Sequence, residues 1–195
     1  MGRKNVQQER RLQILKGLNR CLLKKPYRET TIKDIAAETG INHGMLHYYY
    51  RDKEDILLNF VEYILDKYKQ AFVGWIESQD FSGSSEKAVG RAILIYLNEK
   101  ITLNKNLSKV FIALWEVSLT NRKVKKEIKR VYQEWIAIMA DYLPAQKDDK
   151  TRMNVALAIV AFLEGMAMFS VVLNLNKEET RELLMTFQDR ILESL

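Results

Sequence analysis

Residues 42–53 concentrate side chains suited to gripping and reading a polyanion: Asn42, His43, Gly44, Met45, His47, Tyr48, Tyr49 and Lys53, with the Thr31 hydroxyl upstream. Imidazole and phenol groups hydrogen-bond to base edges and phosphate oxygens, an ammonium neutralises phosphate, and a Met side chain meets a thymine methyl. Gly44, lacking a Cβ, lets its backbone come close to a partner. No Arg, Asn or Gln occurs among residues 43–49, so the strong bidentate pairings to guanine and adenine are missing there. Base reading by such a segment leans instead on thymine methyls and DNA shape. His43 and His47 also have the i, i+4 spacing of zinc-binding helices. No Glu follows His43, and no third ligand of the usual kind is in view, so metal coordination is the weaker chemistry.

Local signals say how these residues are positioned. Thr31 followed by Asp34 reads as a capping box opening a short helix. Ile35 and Ala36 face inward, and the small Ala admits a second helix at close range. Gly40 suits the left-handed residue of a tight turn. Asn42 caps the next helix, which packs inward through Leu46 and Tyr50 and leaves His43, Gly44, Met45, His47, Tyr48 and Tyr49 on or near the outer face. Asp52 caps a third. The pattern predicts a helix-turn-helix whose second helix enters the major groove, with Met45, Tyr48 and His43 nearest the base edges. His47, Tyr49 and Lys53 then lie on the phosphate side.

Residues from about 10 to 57 resemble the N-terminal domain of TetR/AcrR-type transcriptional regulators. That family's pattern runs roughly T-x-x-D-I-A-x-x-x-G-(V/I)-x-x-G-x-L-Y-x-(H/Y)-F-x-x-K-E-x-L. Thr31, Asp34, Ile35, Ala36, Gly40, Ile41, Gly44, Leu46, Tyr49, Lys53 and Glu54 fall in register with it, and Leu57 lies one residue past its final Leu. Two positions depart: His47 stands where the family has a phosphate-contacting Tyr, and Tyr50 replaces a core Phe. The resemblance implies an all-α fold, a DNA-binding domain over residues 1–55, and a helical ligand-binding and dimerisation domain over 56–195. It also implies a homodimer formed by the last two helices on a palindromic operator, repressing until a small molecule releases it.

Charge follows the same division. Residues 1–55 hold 12 Lys/Arg against 7 Asp/Glu, a net +5, whereas residues 56–195 hold 19 against 18, a net +1. The excess lies where phosphate is expected. Arg3, Lys4, Arg10 and Arg11 are candidates for an N-terminal arm on DNA. A second basic cluster, Lys123, Lys125, Lys126, Lys129 and Arg130, reads as a solvated helix face. The single Cys21 falls on the apolar stripe Ile14, Leu15, Leu18, Cys21, Leu22, which makes it a small core residue and excludes an internal disulfide. No apolar leader opens the chain, and a cytoplasmic protein is expected.

Beyond Leu57 the chain reads as helices over Ile56–Ile76, Glu86–Ile101, Leu107–Leu119 and Lys123–Leu143. A polar loop is expected at Ser78–Ser85, a turn or linker at Pro144–Asp149, and two last helices after it, the final one opened by an Asn176–Glu179 capping box. The Met153–Leu173 stretch is apolar on more than one face. It is long enough to suggest a membrane span, but Glu164 and Gly165 interrupt it, and a helix covered by a second subunit explains it better. Phe111, Trp115, Glu116, Trp135, Met139, Glu164 and Met168 are the candidate effector-binding residues. Glu116 and Glu164 sit in apolar sequence surroundings, where a carboxylate needs a partner, a shifted pKa or a cationic ligand. The LWEVSL and LEGM segments faintly resemble the choline-responsive, BetI-like branch, which points to a cationic or lipophilic effector. No cofactor is expected. No phosphate loop, nucleophile elbow or paired His supports an enzyme. The competing reading is a helical protein–protein adaptor without specific DNA binding.

Overall fold

The computed structural model describes residues 3–143 and 148–194. Among these, regular structure is helical throughout: α1 (Arg3–Leu22), α2 (Ile32–Thr39), α3 (His43–Tyr49), α4 (Lys53–Glu77), α5 (Glu86–Leu97), α6 (Lys105–Thr120), α7 (Arg122–Asp141), α8 (Asp149–Val172) and α9 (Lys177–Ser194). The all-α class is as expected. The helix starts follow their caps. Thr31 and Asp34 form a full capping box, Asn42 accepts from the Gly44 N–H at 2.8 Å, and Asp52 accepts from the Asp55 N–H at 2.8 Å. At the opening of α9, Asn176 and Glu179 bond reciprocally at 2.7 and 3.0 Å. Gly40 closes α2 at φ 67°, in the left-handed region. Most of the turn at 144–149 lies outside the described residues.

The chain divides into two compact units, which do not follow a boundary at residue 55. One comprises Met1–Tyr68 with Val110–Val131, the other Lys69–Lys109 with Tyr132–Leu195. The part of α4 up to Tyr68 thus stays with the N-terminal helices, and parts of α6 and α7 join them. In the first unit the α1 stripe Ile14, Leu15, Leu18, Cys21 and Leu22 is buried, as are Ile35 and Ala36 of α2, Leu46 of α3, Tyr50, and Ile56, Leu57, Phe60 and Val61 of α4. Burial raises the Cys21 thiol pKa, so the residue is a packed apolar group and a poor nucleophile.

The second unit has its own core of Phe72, Ile76, Ile93, Leu97, Met139, Val160, Leu163 and Leu184. A single π-helical stretch, Asn98–Thr102, prolongs α5 where an unbroken helix to Ile101 was expected. There the Asn98 and Gln188 amides exchange hydrogen bonds of 2.9 and 3.0 Å, which satisfies two buried polar side chains at once.

Candidate nucleic-acid interface

α3 presents the residues that the sequence singled out. Tyr48 is 70% exposed and Met45 50%, and Asn42, His43, Gly44 and His47 are exposed as well. Leu46 is buried beneath them at 1%, so one face anchors the helix and the other is left for a partner. The His43 and His47 rings meet edge-on at 5.6 Å, and Tyr48 and Tyr49 do the same at 5.1 Å. Among the described residues no cluster of three or more His, Cys, Asp or Glu is placed to hold a metal ion. A Cβ at Gly44 would come no closer than 3.4 Å, to the Asn42 Oδ1, so the chain's own packing does not demand glycine there.

Two cations have tasks inside the fold that the sequence did not disclose. The Arg11 guanidinium donates to the Tyr49 carbonyl at 2.6 Å and to Asn59 Oδ1 at 3.0 Å, and lies 4.2 Å over the Tyr50 ring. It ties α1 to the end of α3 and to α4, and is not part of a free arm. The Tyr50 hydroxyl donates back to the Arg11 carbonyl at 3.3 Å, a bond that the family's Phe cannot make. The expected arm is itself helical from Arg3 onward; the side chains of Arg3 and Lys4 lie outside the described residues.

Lys53 is the second. Its ammonium donates to the carbonyls of Tyr27 (3.0 Å) and Thr30 (2.8 Å) and sits 4.2 Å over the Tyr27 ring. The Tyr27 hydroxyl returns a bond to the Lys53 carbonyl at 3.1 Å. Burial lowers the Lys53 pKa and pushes Tyr27 up to about 12. Two of the three ammonium N–H groups thus form a clamp between the turn before α2 and the start of α4, and we expect this clamp, ahead of the phosphate role, to be the main task of the side chain. Replacing Lys53 by Gln is expected to lower the melting temperature by several degrees, a loss of about 1–2 kcal/mol, because two part-buried carbonyls lose their donor. The salt dependence of DNA binding should stay unchanged; a slope that falls by about one would return Lys53 to the phosphates.

The candidate effector residues are shared between the two units. Phe111, Trp115 and Glu116 belong to the first unit; Trp135, Met139, Glu164 and Met168 belong to the second. Glu116 is exposed, which corrects the expectation of apolar surroundings: Ala113 and Leu114 before it are buried while its own position on α6 faces solvent. Phe111 is buried, with its ring 6.5 Å from that of Trp115. In the second unit Phe72 is ringed by aromatic side chains, with Trp135 edge-on at 5.0 Å, and Trp75 stacks on Tyr96 at 4.2 Å.

Glu164 keeps its unusual environment. The residue touches solvent in part, but its carboxyl end is enclosed and accepts a hydrogen bond from the Tyr132 hydroxyl at 2.8 Å. Loss of hydration pushes its pKa up to about 7, against the smaller lowering effect of the Tyr132 bond. The fold therefore favours the neutral acid. That contribution is complete below the ordinary value of 4.5 and is lost as pH rises through about 7. Between pH 5 and 8 the wild type should lose on the order of 2 kcal/mol relative to Glu164→Gln in thermal unfolding. Parallel pH profiles for the two proteins would show that the carboxyl is solvated.

An exposed, two-turn helix set on a small buried core defines the class: an all-α helix-turn-helix protein. Residues 14–60 match the family model described as "Bacterial regulatory proteins, tetR family". The chain is similar to the HTH-type transcriptional regulator HbdR of Aromatoleum sp., at 36% identity over 70 residues, 36% of this chain and 31% of that protein. It is similar to the regulator EthR of Mycolicibacterium smegmatis at 24% identity over 72% of this chain and 62% of that one. The matched stretches thus span about a third to three fifths of these relatives' own lengths. In fold it is similar to a transcriptional regulator of Saccharomonospora viridis solved with choline, with a TM-score of 0.76, 21% identity, and 93% and 96% of the two chains covered. Residues 14–60 are thus similar to the tetR-family model, and the chain as a whole is similar in fold to solved regulators.

Proposed function

We propose that the protein is a homodimeric, ligand-responsive repressor that binds a palindromic operator through α3 and leaves it when a small molecule occupies the second unit. The exposed face of α3 over its buried anchor Leu46 carries the DNA-binding part of this reading. His43, Met45 and Tyr48 read base edges, Gly44 admits the backbone to the groove, and His47 and Tyr49 with the capped helix starts at Thr31 and Asn42 meet phosphate. A bacterial DNA regulator of this kind works in the cytoplasm.

The dimer is supported by the outer faces of α8 and α9. Leu157, Phe169 and Val172 of α8 are 52%, 50% and 67% exposed, and Leu183, Met185 and Phe187 of α9 are exposed beside them. On the inner side Ala156, Val160, Leu163 and Ala167 are buried in the subunit's own core. α8 is long and apolar enough to cross a membrane by length and composition alone. One face inward and one face bare is instead the pattern of a helix awaiting a second subunit. A Cβ at Gly165 would meet nothing within the chain, which leaves room there for a close helix crossing.

The effector reading rests on Glu164. A cation placed beside this carboxyl, among Tyr132, Trp135, Met139 and Met168, would replace the water the anion has lost. The S. viridis protein of similar fold was solved with choline, a quaternary ammonium cation. α4 runs unbroken from Lys53, in the DNA-binding unit, to Glu77, in the other, and so provides a covalent route from effector to α3. By linkage, the factor by which ligand weakens DNA binding equals that by which DNA weakens ligand binding.

The test is fluorescence anisotropy with DNA from upstream of the protein's own gene and a scrambled control, with and without quaternary ammonium compounds. Preferential, salt-sensitive binding that the ligand reverses supports the reading; no binding even at low salt favours the helical adaptor. Tyr48→Ala should cut discrimination between the two DNAs about tenfold or more, at one lost base contact of 1–3 kcal/mol. Gly44→Ala should leave the melting temperature unchanged or raised while weakening operator binding. Undiminished affinity in both variants would remove α3 from the groove.

A further inference from the structure

The basic cluster at the start of α7 is not accounted for by the function so far. Residues 122–130, RKVKKEIKR, carry six Lys/Arg and one Glu, a net +5. The rest of residues 56–195 carries 13 Lys/Arg against 17 Asp/Glu, a net −4. The first turn of α7 holds no acid, although the positive end of a helix dipole favours acids and disfavours cations. Helix stability therefore argues against this arrangement, and a face meant only to be solvated would have no reason for it.

Its position gives the reason. This part of α7 belongs to the same compact unit as α2 and α3. Val124, Ile128 and Val131 are buried, which turns Arg122, Lys125, Lys126 and Lys129 to solvent on the opposite side. Lys123 and Asn121 are bonded to Glu54 at 2.5 and 2.7 Å, and Glu54 lies in the first turn of α4, directly after the recognition helix. Between α4 and α7 lies an open groove of about 380 Å³ lined by Asn59, Glu62, Lys123, Lys126, Glu127 and Arg130. The lysines at 125, 126 and 129 and Arg122 form no ion pair among the described residues. From 122 to 129 they cover about 10 Å of helix, the axial length of about three successive phosphates on one strand.

We propose that this face of α7 is a second phosphate-contacting surface, gripping duplex DNA outside the groove that α3 reads. The proposal rests on the DNA-binding reading above. It makes the footprint on each half-site longer than α3 alone would give, and adds to affinity without adding to sequence preference.

The experiment compares three full-length proteins: wild type, the variant Arg122→Gln/Lys125→Gln/Lys126→Gln/Lys129→Gln, and a control with Lys87, Lys100, Lys109 and Lys150 changed to Gln. The control lysines are exposed residues of the other unit, so both variants lose the same charge. Each is titrated against an operator duplex trimmed to the half-sites and against the same operator with flanks of about 10 base pairs, at several salt concentrations. Wild type and control should gain affinity from the flanks. The α7 variant should lose that gain, and its log K against log salt slope should fall by about 0.9 for each phosphate contact removed. Preference for operator over scrambled DNA and the melting temperature should match wild type. A slope equal to wild type, or equal losses in variant and control, overturns the proposal. A wild type that does not prefer its operator overturns the DNA-binding reading itself, and that result is seen before any variant is compared.

Discussion

Gly17→Val is expected to unfold the DNA-binding unit or leave it less stable by about 3 kcal/mol or more, a large fraction of the stability of a small domain. Any Cβ at position 17 of α1 would lie 2.3 Å from Thr39 Cγ2 and 3.2 Å from the Ile35 carbonyl oxygen, both in α2. The methyl cannot simply rotate away. Thr39 Oγ1 donates toward the Ile35 and Ala36 carbonyls at 3.1 and 3.0 Å and accepts from the Ile41 N–H at 3.3 Å. A new rotamer would break the link between the end of α2 and the turn at Gly40. Chemical denaturation measures the loss, and operator affinity should fall with it. The double change Gly17→Ala/Thr39→Ser keeps the hydroxyl and removes the clashing methyl, so it should recover part of the loss relative to Gly17→Ala alone. A Gly17→Val protein of wild-type stability would mean that α1 and α2 do not cross here as closely as described.

Changing both Leu157 and Val172 to Glu should convert the proposed dimer to monomer and weaken operator binding by about 10²–10⁴-fold. Two half-site contacts held in one molecule reinforce each other by roughly that factor, and a monomer has only one. Both residues are more than half exposed within the subunit, so the substitutions remove little of its own packing. Burying two carboxylates per subunit in an apolar interface is costly. Sedimentation equilibrium reads the association state, and circular dichroism should show unchanged helix content. A variant that remains dimeric would place the interface elsewhere.

Much of this was readable from the residues because it depends on neighbours three or four positions apart. The Thr31–Asp34 and Asn176–Glu179 boxes, the caps at Asn42 and Asp52, the left-handed Gly40 and the α1 stripe through Cys21 all appear where local chemistry placed them. So does the outward set of α3, since burying Leu46 determines which way His43, Met45 and Tyr48 face.

Contacts over long sequence separations had no such signal. The Lys53 ammonium faces carbonyls 23 and 26 residues earlier, and Arg11 meets groups 38 and 48 residues later. A cation's preference for phosphate or for a buried carbonyl is decided by which group the fold brings within 3 Å, and type or spacing does not record it. Glu116 and Glu164 looked alike in their apolar surroundings. Helical phase turned the first to solvent and enclosed the second beside Tyr132, 32 positions away. The sequence by itself determined the helices, their caps and the exposed face of α3, because those are settled within one turn of chain. Tertiary structure alone decided the close crossing at Gly17, the structural duty of Arg11 and Lys53, the bare outer face of α8, and the grouping of basic α7 with the recognition helix. Each of these depends on which distant segments share a compact unit.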